Sequence, residues 1–582
     1  MCWLFEQIPS TAVHSKAGAL DLGSAPPRLN RPYIRNYTRR GQSTFVFDYF
    51  LVHTQYSLSG CLTSHTLPLP FSLPTELDNV QYVASSNVRG TPPSCYVYPL
   101  LSNGPAGNSP RTESIHILDD DSLLNVFYLY RPAIFDGDED NNIRTMGGRV
   151  WRRERWWYKL AQVCHRWRNL ILGSTSYLGL CLVCTHGTPV AYMLAHSPPL
   201  PLIIDYANND RDVTTEEEEI ILALAQRDRV RRIRFRMPVR NLKKIIMTIN
   251  GEYPVLEYLI MMPLEKNTVM IPETLQAPHL HHLLLIGFVL PIRSRLLTTA
   301  VGLVTFALGG GHTHTDFHPN VLLQCIPFMP RLEVLLIFFT FPVSGPESAP
   351  DMEGQLMHMP ITMHITLPNL RRFEFRGVSA YMEAVVRRIT TPRLEKLDII
   401  FFNQRTVSVP HLLQFIKTTE KLKFGSAKFK FSNNMVRVEV YPFEDARIYA
   451  LSIKVRCKHL DWHAPPAAQI FSSLSQMFFT VEHLTLEYDL YEVHSQSSGE
   501  VDRTEWRNLL RSFSNIKTLR FDDGLVKGLS RCLRLDDGEH PLELLPELQV
   551  LGYSGSSDTG DAFTPFIDAR QNAGNTVTLV HL

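Results

Sequence analysis

Three short runs hold the residues whose types and spacing could do chemistry. Cys181-Leu-Val-Cys184 has the spacing of a redox pair or of half a zinc site. A structural zinc needs four ligands, and no second pair lies at a suitable distance in sequence. The surrounding apolar run reads instead as the first strand of an array. Gly309-Gly-Gly-His312-Thr-His314-Thr-Asp-Phe-His318 offers imidazoles and a flexible backbone. It lacks the Lys-Ser/Thr ending of a phosphate-binding loop, so a glycine-rich turn between repeats is the reading adopted. The most basic run alternates Arg232, Arg234 and Arg236 with Ile233, Phe235 and Met237. As a strand this puts three guanidiniums on one face and three apolar side chains in a core. That face is either a solvated surface or a wall for an acidic partner. No nucleophile, base and orienting residue converge by spacing, so no enzyme and no cofactor or metal is expected.

Composition is that of an ordinary globular chain: 582 residues, 44% apolar, 20% charged, formal net charge +1. Such a balance gives no field to draw the chain to nucleic acid or an anionic membrane. Nine irregularly spaced cysteines do not suggest a disulfide framework, and reduced thiols are expected. No signal peptide is read at the first residues, and the longest apolar runs are about half of what a bilayer span needs. A cytoplasmic or nuclear location is expected.

The elements that position these residues divide the chain in three. Residues 1–112, rich in Ser, Thr, Pro, Gly and Asn, read as a low-order segment, with one short strand over Thr44–Val52. Residues 113–182 are helical. Leu123, Val126, Phe127 and Tyr130 fall at i, i+3, i+4 and i+7 behind the capping carboxylates Asp119, Asp120 and Asp121. Leu160, Val163, Trp167 and Leu170 repeat the pattern on a second helix, after an acidic loop at 135–142. Residues 183–582 repeat one module, a helix followed by Leu-x-x-Leu-x-apolar. The clearest anchors are Leu256/Leu259, Leu280/Leu283, Leu332/Leu335, Leu370/Phe373, Leu394/Leu397, Ile516/Leu519 and Leu548/Leu551. Weaker copies centre on Val230, Leu303, Ile448 and Leu484, and the gaps at 341–362 and 425–446 read as insertions or degenerate repeats. Leu256 to Leu280 and Leu370 to Leu394 each span 24 residues, within the leucine-rich-repeat range of roughly 20–29. Thr214-Thr215-Glu216 predicts a capped helix start before Ile220. The expected class is α/β: a small helical domain followed by an irregular leucine-rich-repeat solenoid, a horseshoe.

The helical segment resembles an F-box. Leu118, Leu123, Leu124, Val126 and Phe127 match the family's first helix. Val163, Cys164, Trp167 and Leu170, with Leu160 on the same stripe, match its Val-Cys-x-x-Trp-x-x-Leu helix, and Leu178 matches the closing leucine. The departures are Asp119, where the family usually has Pro, Gly179, where a Trp often follows, and a longer link between the helices. The resemblance, over roughly 115–582, is to fungal-type F-box proteins with a divergent repeat tail. It implies that these residues pack a three-helix box or contact a Skp-type adaptor. The repeats would then hold a protein substrate for a cullin-based ubiquitin ligase. Two alternatives stay open: a plain helical cap that binds no adaptor, and a repeat scaffold with no ligase coupling.

Overall fold

The computed structural model describes residues 118–131, 155–207, 216–265, 267–291, 294–310, 318–339, 364–402, 409–432, 435–456, 478, 480–488, 503–535, 539–554 and 561–582. The segment 1–112, the acidic loop 135–142, the gap 341–362 and residues 311–317, with His312 and His314, lie outside them. The chain divides into two compact units. One is Met1–Gly147 with Asn169–Ser174; the other is Gly148–Arg168 with Thr175–Leu582.

In the first unit, helix α1 (Asp120–Tyr130) starts on Asp119. This N-cap carboxylate accepts from the Ser122 backbone N–H at 2.7 Å and from the Ser122 hydroxyl at 3.1 Å. Those two bonds hold its pKa below the usual carboxylate range. Leu123 and Phe127, one turn apart, are buried, as is Ile171. Val126 and Tyr130 were expected on the same face but stand 45% and 60% exposed. The apolar stripe of α1 is one residue wide per turn.

Helices α2 (Trp156–Ala161) and α4 (Thr175–Leu178) belong to the second unit, and α3 (His165–Gly173) is divided between the two, its residues from Asn169 onward falling in the first. The single stripe expected through Leu160, Val163, Trp167 and Leu170 is broken. Gln162 and Val163 turn back through bonds to the carbonyls of Lys159 and Leu160, so α2 and α3 are separate helices and Val163 projects outward. Gly179 adopts a left-handed φ of 59°. A Trp there would incur the Cβ clash that glycine avoids, which accounts for that departure from the F-box pattern.

The rest is mixed α/β around one large sheet. Its strands are β1 (Leu182–Cys184), β2 (Leu202–Tyr206), β3 (Val230–Met237), β4 (Tyr258–Pro263), β5 (His282–Ile286), β6 (Thr305–Gly310), β7 (Val334–Phe339), β8 (Arg372–Gly377), β9 (Lys396–Phe402), β10 (Ser426–Ser432), β11 (Met435–Tyr441), β12 (Leu451–Arg456), β13 (His483–Tyr488), β14 (Thr518–Asp522), β15 (Val550–Ser554) and β16 (Thr578–His581). Neighbours follow chain order and run parallel, except that β12, β11 and β10 enter in reverse, with β11 antiparallel to both. A mostly parallel sixteen-stranded sheet laid down one strand per module is consistent with a leucine-rich-repeat-like solenoid. The 425–446 gap, expected as an insertion or degenerate repeat, therefore supplies two strands of the sheet itself.

The repeat anchors take the buried places their spacing predicts. Leu256, Leu259, Leu280, Leu283, Leu370, Phe373, Leu394 and Leu397 are fully buried. Between strands run helices such as α5 (Val190–His196), α6 (Glu217–Ala225), α7 (Val239–Thr248), α8 (Arg295–Thr299), α9 (Pro319–Cys325), α10 (Ser379–Val386), α11 (Pro410–Thr418), α12 (Arg503–Arg511), α13 (Val526–Leu533) and α14 (Thr564–Asn572). Two local expectations are corrected. Ile448, read as a repeat anchor, is 67% exposed, because β12 is entered from a strand rather than from a helix. The cap position of α6 is Glu216, which makes no side-chain capping bond; Thr214 and Thr215 lie outside the described residues.

Glutamates tie neighbouring modules together. Buried Glu383 of α10 accepts from the backbone N–H of His411 and Leu412 at 2.9 Å each, satisfying orphan donors at the start of α11. Glu219 of α6 does the same for Ala191 in α5. The α10 ring of Tyr381 wedges between Phe339 (4.7 Å between centroids) and Phe375 (5.8 Å), yet its hydroxyl is buried without a hydrogen-bond partner. Tyr381→Phe removes that orphan polar atom and keeps the ring. It raises the unfolding free energy by about 1 kcal/mol, measured from the denaturant midpoint at unchanged m-value.

Candidate partner-binding face

Residues paired across neighbouring strands point to the same side of a sheet. Phe375 and Phe429 face the helices, through Tyr381 and through Phe513 after α12. The residues between them therefore form the opposite face, which can be followed strand by strand. One row runs Asp205, Arg234, Ile260, Leu284, Ala307, Leu336, Glu374, Asp398, Ser452, Glu439, Lys428, Thr485, Arg520. This face is charged at β2–β3, apolar across β4–β7, and charged again from β8 onward.

At the first charged end, the alternation expected for Arg232, Arg234 and Arg236 is realised. All three are half-buried on this face, while Ile233, Phe235 and Met237 are buried. The register slips between Leu202 and Ile203, so Ile203 pairs with Arg232 and Arg231 is left for Glu257, 2.9 Å away. Arg234 reaches the buried Asp205 at 3.5 Å. Burial raises the Asp205 pKa, and Arg234 opposes that rise. The Arg232 guanidinium lies 4.6 Å from the Tyr258 ring centre, and Tyr258 stacks on His282 at 4.2 Å. Burial, then His281 and Arg232, pushes His282 down to about 4, so this imidazole is neutral near pH 7. The arginines are thus engaged with a carboxylate and an aromatic stack, and the face is more structured than a solvated strand.

The second charged end was not found in the sequence. Here Arg372, Arg376, Lys396, Lys454, Arg456, Arg437, Lys428 and Lys430 outnumber Glu374, Asp398, Glu439 and Glu487. Arg372 pairs with Glu374, Arg437 with Glu439 and Lys428 with Glu487, while Lys430 lies 3.4 Å from Glu487. At the centre, buried Asp398 accepts from the Tyr449 hydroxyl at 2.8 Å and lies 3.7 Å from Lys454. Burial pushes the Asp398 carboxyl up. Lys454, Tyr449 and the guanidiniums of Arg376 and Arg437 outweigh it and hold the group ionised. Lys454 moves the other way from an ordinary ion-paired lysine. Burial, with Arg437 and Arg376 beside it, outweighs Asp398 and brings it down to about 8.

That shift has a sign in stability. The unfolded chain keeps Lys454 protonated up to 10.5, whereas the folded chain releases the proton near 8. Between those values the unfolded state binds more protons, so unfolding free energy rises with pH. Below pH 8 the full cost of the buried ammonium is present, on the order of a few kcal/mol. Lys454→Met flattens this alkaline rise in a pH series of denaturant midpoints; an identical pH slope in both proteins contradicts the assignment.

Both thiols of the Cys-x-x-Cys run are buried. Cys184 sits in β1 and Cys181 just before it. Burial pushes the Cys184 thiol up to about 12, opposite to what a redox or metal thiolate needs. Among the described residues no group of three His, Cys, Asp or Glu is placed to hold a metal ion. His318 of the glycine-rich run caps α9, its Nδ1 accepting from Asn320. No described helix is long and apolar enough to cross a membrane.

The F-box-matched residues split by exposure. Leu123, Phe127 and Leu178 are buried; Leu124, Leu160, Cys164, Trp167 and Leu170 are half-buried; Leu118, Val126 and Val163 are exposed. Beside Val126 on α1, Leu129 is 81% exposed. In the second unit, Arg155 donates to the Val183 carbonyl at 3.1 Å and the Trp157 indole N–H to the Cys181 carbonyl at 3.3 Å. These donors lie against β1, the first strand of the sheet.

No known protein family matches the chain, and no curated protein matches it. Among solved structures it is similar to the crystal structure of a TLR13–ssRNA13 complex. The identity is 13% over 68% of this chain and 48% of that one, at a TM-score of 0.28. The chain thus spans about half the length of that structure's chain, and a likeness this low carries no argument about function.

Proposed function

We propose that this chain is a repeat-built protein-binding scaffold that delivers its partner to a Skp/cullin-type ubiquitin ligase. The sheet face opposite the helices takes the partner, and α1 with Leu118 before it takes the Skp-type adaptor. The observation that carries the scaffold reading is the face itself: thirteen paired positions in one continuous row, charged at both ends and apolar between. Recognition by shape and charge over many short strands is what such arrays provide. The adaptor reading rests on the F-box resemblance, supported by the exposed apolar residues Leu118, Val126 and Leu129 on and before α1. Contiguous exposed apolar side chains mark contact sites on soluble chains. The chain itself makes and breaks no bond; its contribution is proximity, raising the local concentration of partner lysines near the charged enzyme.

One observation favours a second role for part of the helical segment. Arg155 and Trp157 satisfy carbonyls beside β1 at the end of the sheet, so α2 caps the array whether or not an adaptor binds.

The test uses the full chain and a purified Skp-type adaptor in titration calorimetry. Intact protein binds saturably, and Val126→Asp with Leu129→Asp abolishes binding at unchanged far-UV circular dichroism and melting. These side chains are exposed, so their loss costs the fold little. No binding by the intact chain contradicts the ligase coupling and leaves the scaffold alone.

A further inference from the structure

The second charged end of the sheet gathers cations from successive strands into a row. Following one register row, Arg376, Ile400, Lys454, Arg437 and Lys430 occupy five adjacent strands, β8, β9, β12, β11 and β10. At about 4.8 Å between strands this places four cations along roughly 19 Å, with a single apolar interruption. Lys430 shares Glu487 with Lys428, and Lys454 shares Asp398 with the Tyr449 hydroxyl. Arg437 keeps its Nε buried with no hydrogen-bond partner, although its Nη2 pairs with Glu439. A buried guanidinium N–H without an acceptor is costly, and a row of cations sharing few carboxylates raises the cost. The inverted order β12, β11, β10 is what brings Lys454, Arg437 and Lys430 side by side.

We infer that this row is the receptor for an acidic segment of a protein partner, laid across β8 to β10 with its carboxylates on Arg376, Lys454, Arg437 and Lys430. An extended segment of about six residues spans the row. At Lys454 burial and the guanidiniums of Arg437 and Arg376 outweigh the pull of Asp398, a balance that a further anion would reverse. A nucleic acid fits less well. Its unbroken phosphate charge would meet Asp398, Glu439 and Glu487 interleaved among the cations. The inference rests on the proposed scaffold role and specifies the chemistry of the partner that role requires.

The experiment measures fluorescence anisotropy of labelled hexaglutamate, hexaglutamine and oligo-dT on the full chain. Hexaglutamate binds saturably, weakens as salt rises, and outcompetes the other two. Lys454→Met and Lys430→Glu each weaken it by about tenfold, the loss of one charged contact. Arg232→Gln, at the far end of the sheet, leaves it unchanged. Lys430 is partly exposed, so its variant reports on binding even if Lys454→Met disturbs the fold. Absence of hexaglutamate binding, or an equal effect of Arg232→Gln, overturns the inference; tighter binding of oligo-dT also overturns it and assigns the row to nucleic acid. Adaptor titration on the same preparation separates the two readings. Retained adaptor binding with no hexaglutamate binding removes only the receptor row, and the reverse removes only the ligase coupling.

Discussion

Arg570→Met destabilises the C-terminal repeats by about 3 kcal/mol or more, the range expected when a buried charged partner leaves several polar groups unsatisfied. Arg570 lies on α14, is 0% exposed and is the largest fully buried side chain of the described chain. Its guanidinium donates to the carbonyls of Leu544 (3.1 Å), Leu545 (3.0 Å) and Pro546 (2.8 Å) and reaches Pro541 at 3.5 Å. One planar fork therefore closes the turn that leads into β15. Leu545 in that turn has a φ of 52°, a left-handed conformation that a leucine adopts only when its surroundings impose it. Lysine cannot replace the fork, because an ammonium presents a point charge where several diverging donors are needed. Arg570→Lys recovers less than half of the loss. The readout is amide hydrogen exchange in β15 and β16, since solenoid ends open locally. Protection in those strands unchanged by Arg570→Met contradicts the account.

Phe375→Ala acts in the middle of the array and costs about 3–5 kcal/mol. The ring is fully buried and meets Phe339, Tyr381 and Phe401 with centroids 6.3, 5.8 and 6.3 Å away. Gly377 belongs to the same packing. A Cβ there would lie 2.8 Å from atoms of both Phe339 and Phe375, so the rings occupy the space that glycine leaves. Removing Phe375 empties a cavity shared by β7, β8, β9 and α10. Each repeat contacts only its neighbours, so the array loses cooperativity at that point. Thermal unfolding of the variant splits into two steps. A single transition shifted by less than the equivalent of about 1 kcal/mol would show that the cluster adapts.

How much of this was readable in the sequence depends on what fixed each feature. Leu256, Leu280, Leu370 and Leu394 announced themselves because an apolar side chain at a fixed offset from each strand is the only way successive modules can share a core. Arg232, Arg234 and Arg236 were legible for a similar reason, a strict period of two. The charged end at β8–β12 was not. Lys428-Phe429-Lys430-Phe431 and Val436-Arg437-Val438-Glu439 carry the same alternation, but without leucine spacing they read as a gap between repeats. Their neighbours in the sheet are set by a reversal of strand order that no local residue encodes. The break between α2 and α3 left no signal either, since no Gly or Pro marks Gln162-Val163-Cys164. Asp119 and Gly179 were visible as departures from the F-box pattern. Their physical roles, a helix cap and a left-handed residue, needed the backbone.

The most direct measurement captures the full chain from cells with proteasome activity blocked, in three forms. These are the intact chain, Val126→Asp with Leu129→Asp, and Lys430→Glu with Arg437→Gln. Bound Skp-type adaptor and bound protein partners are quantified for each. The two-ended account predicts that the intact chain retains both. The α1 variant loses the adaptor and keeps its partners, and the sheet-face variant loses partners and keeps the adaptor. An intact chain that captures no adaptor, or two variants that lose the same proteins, contradicts it.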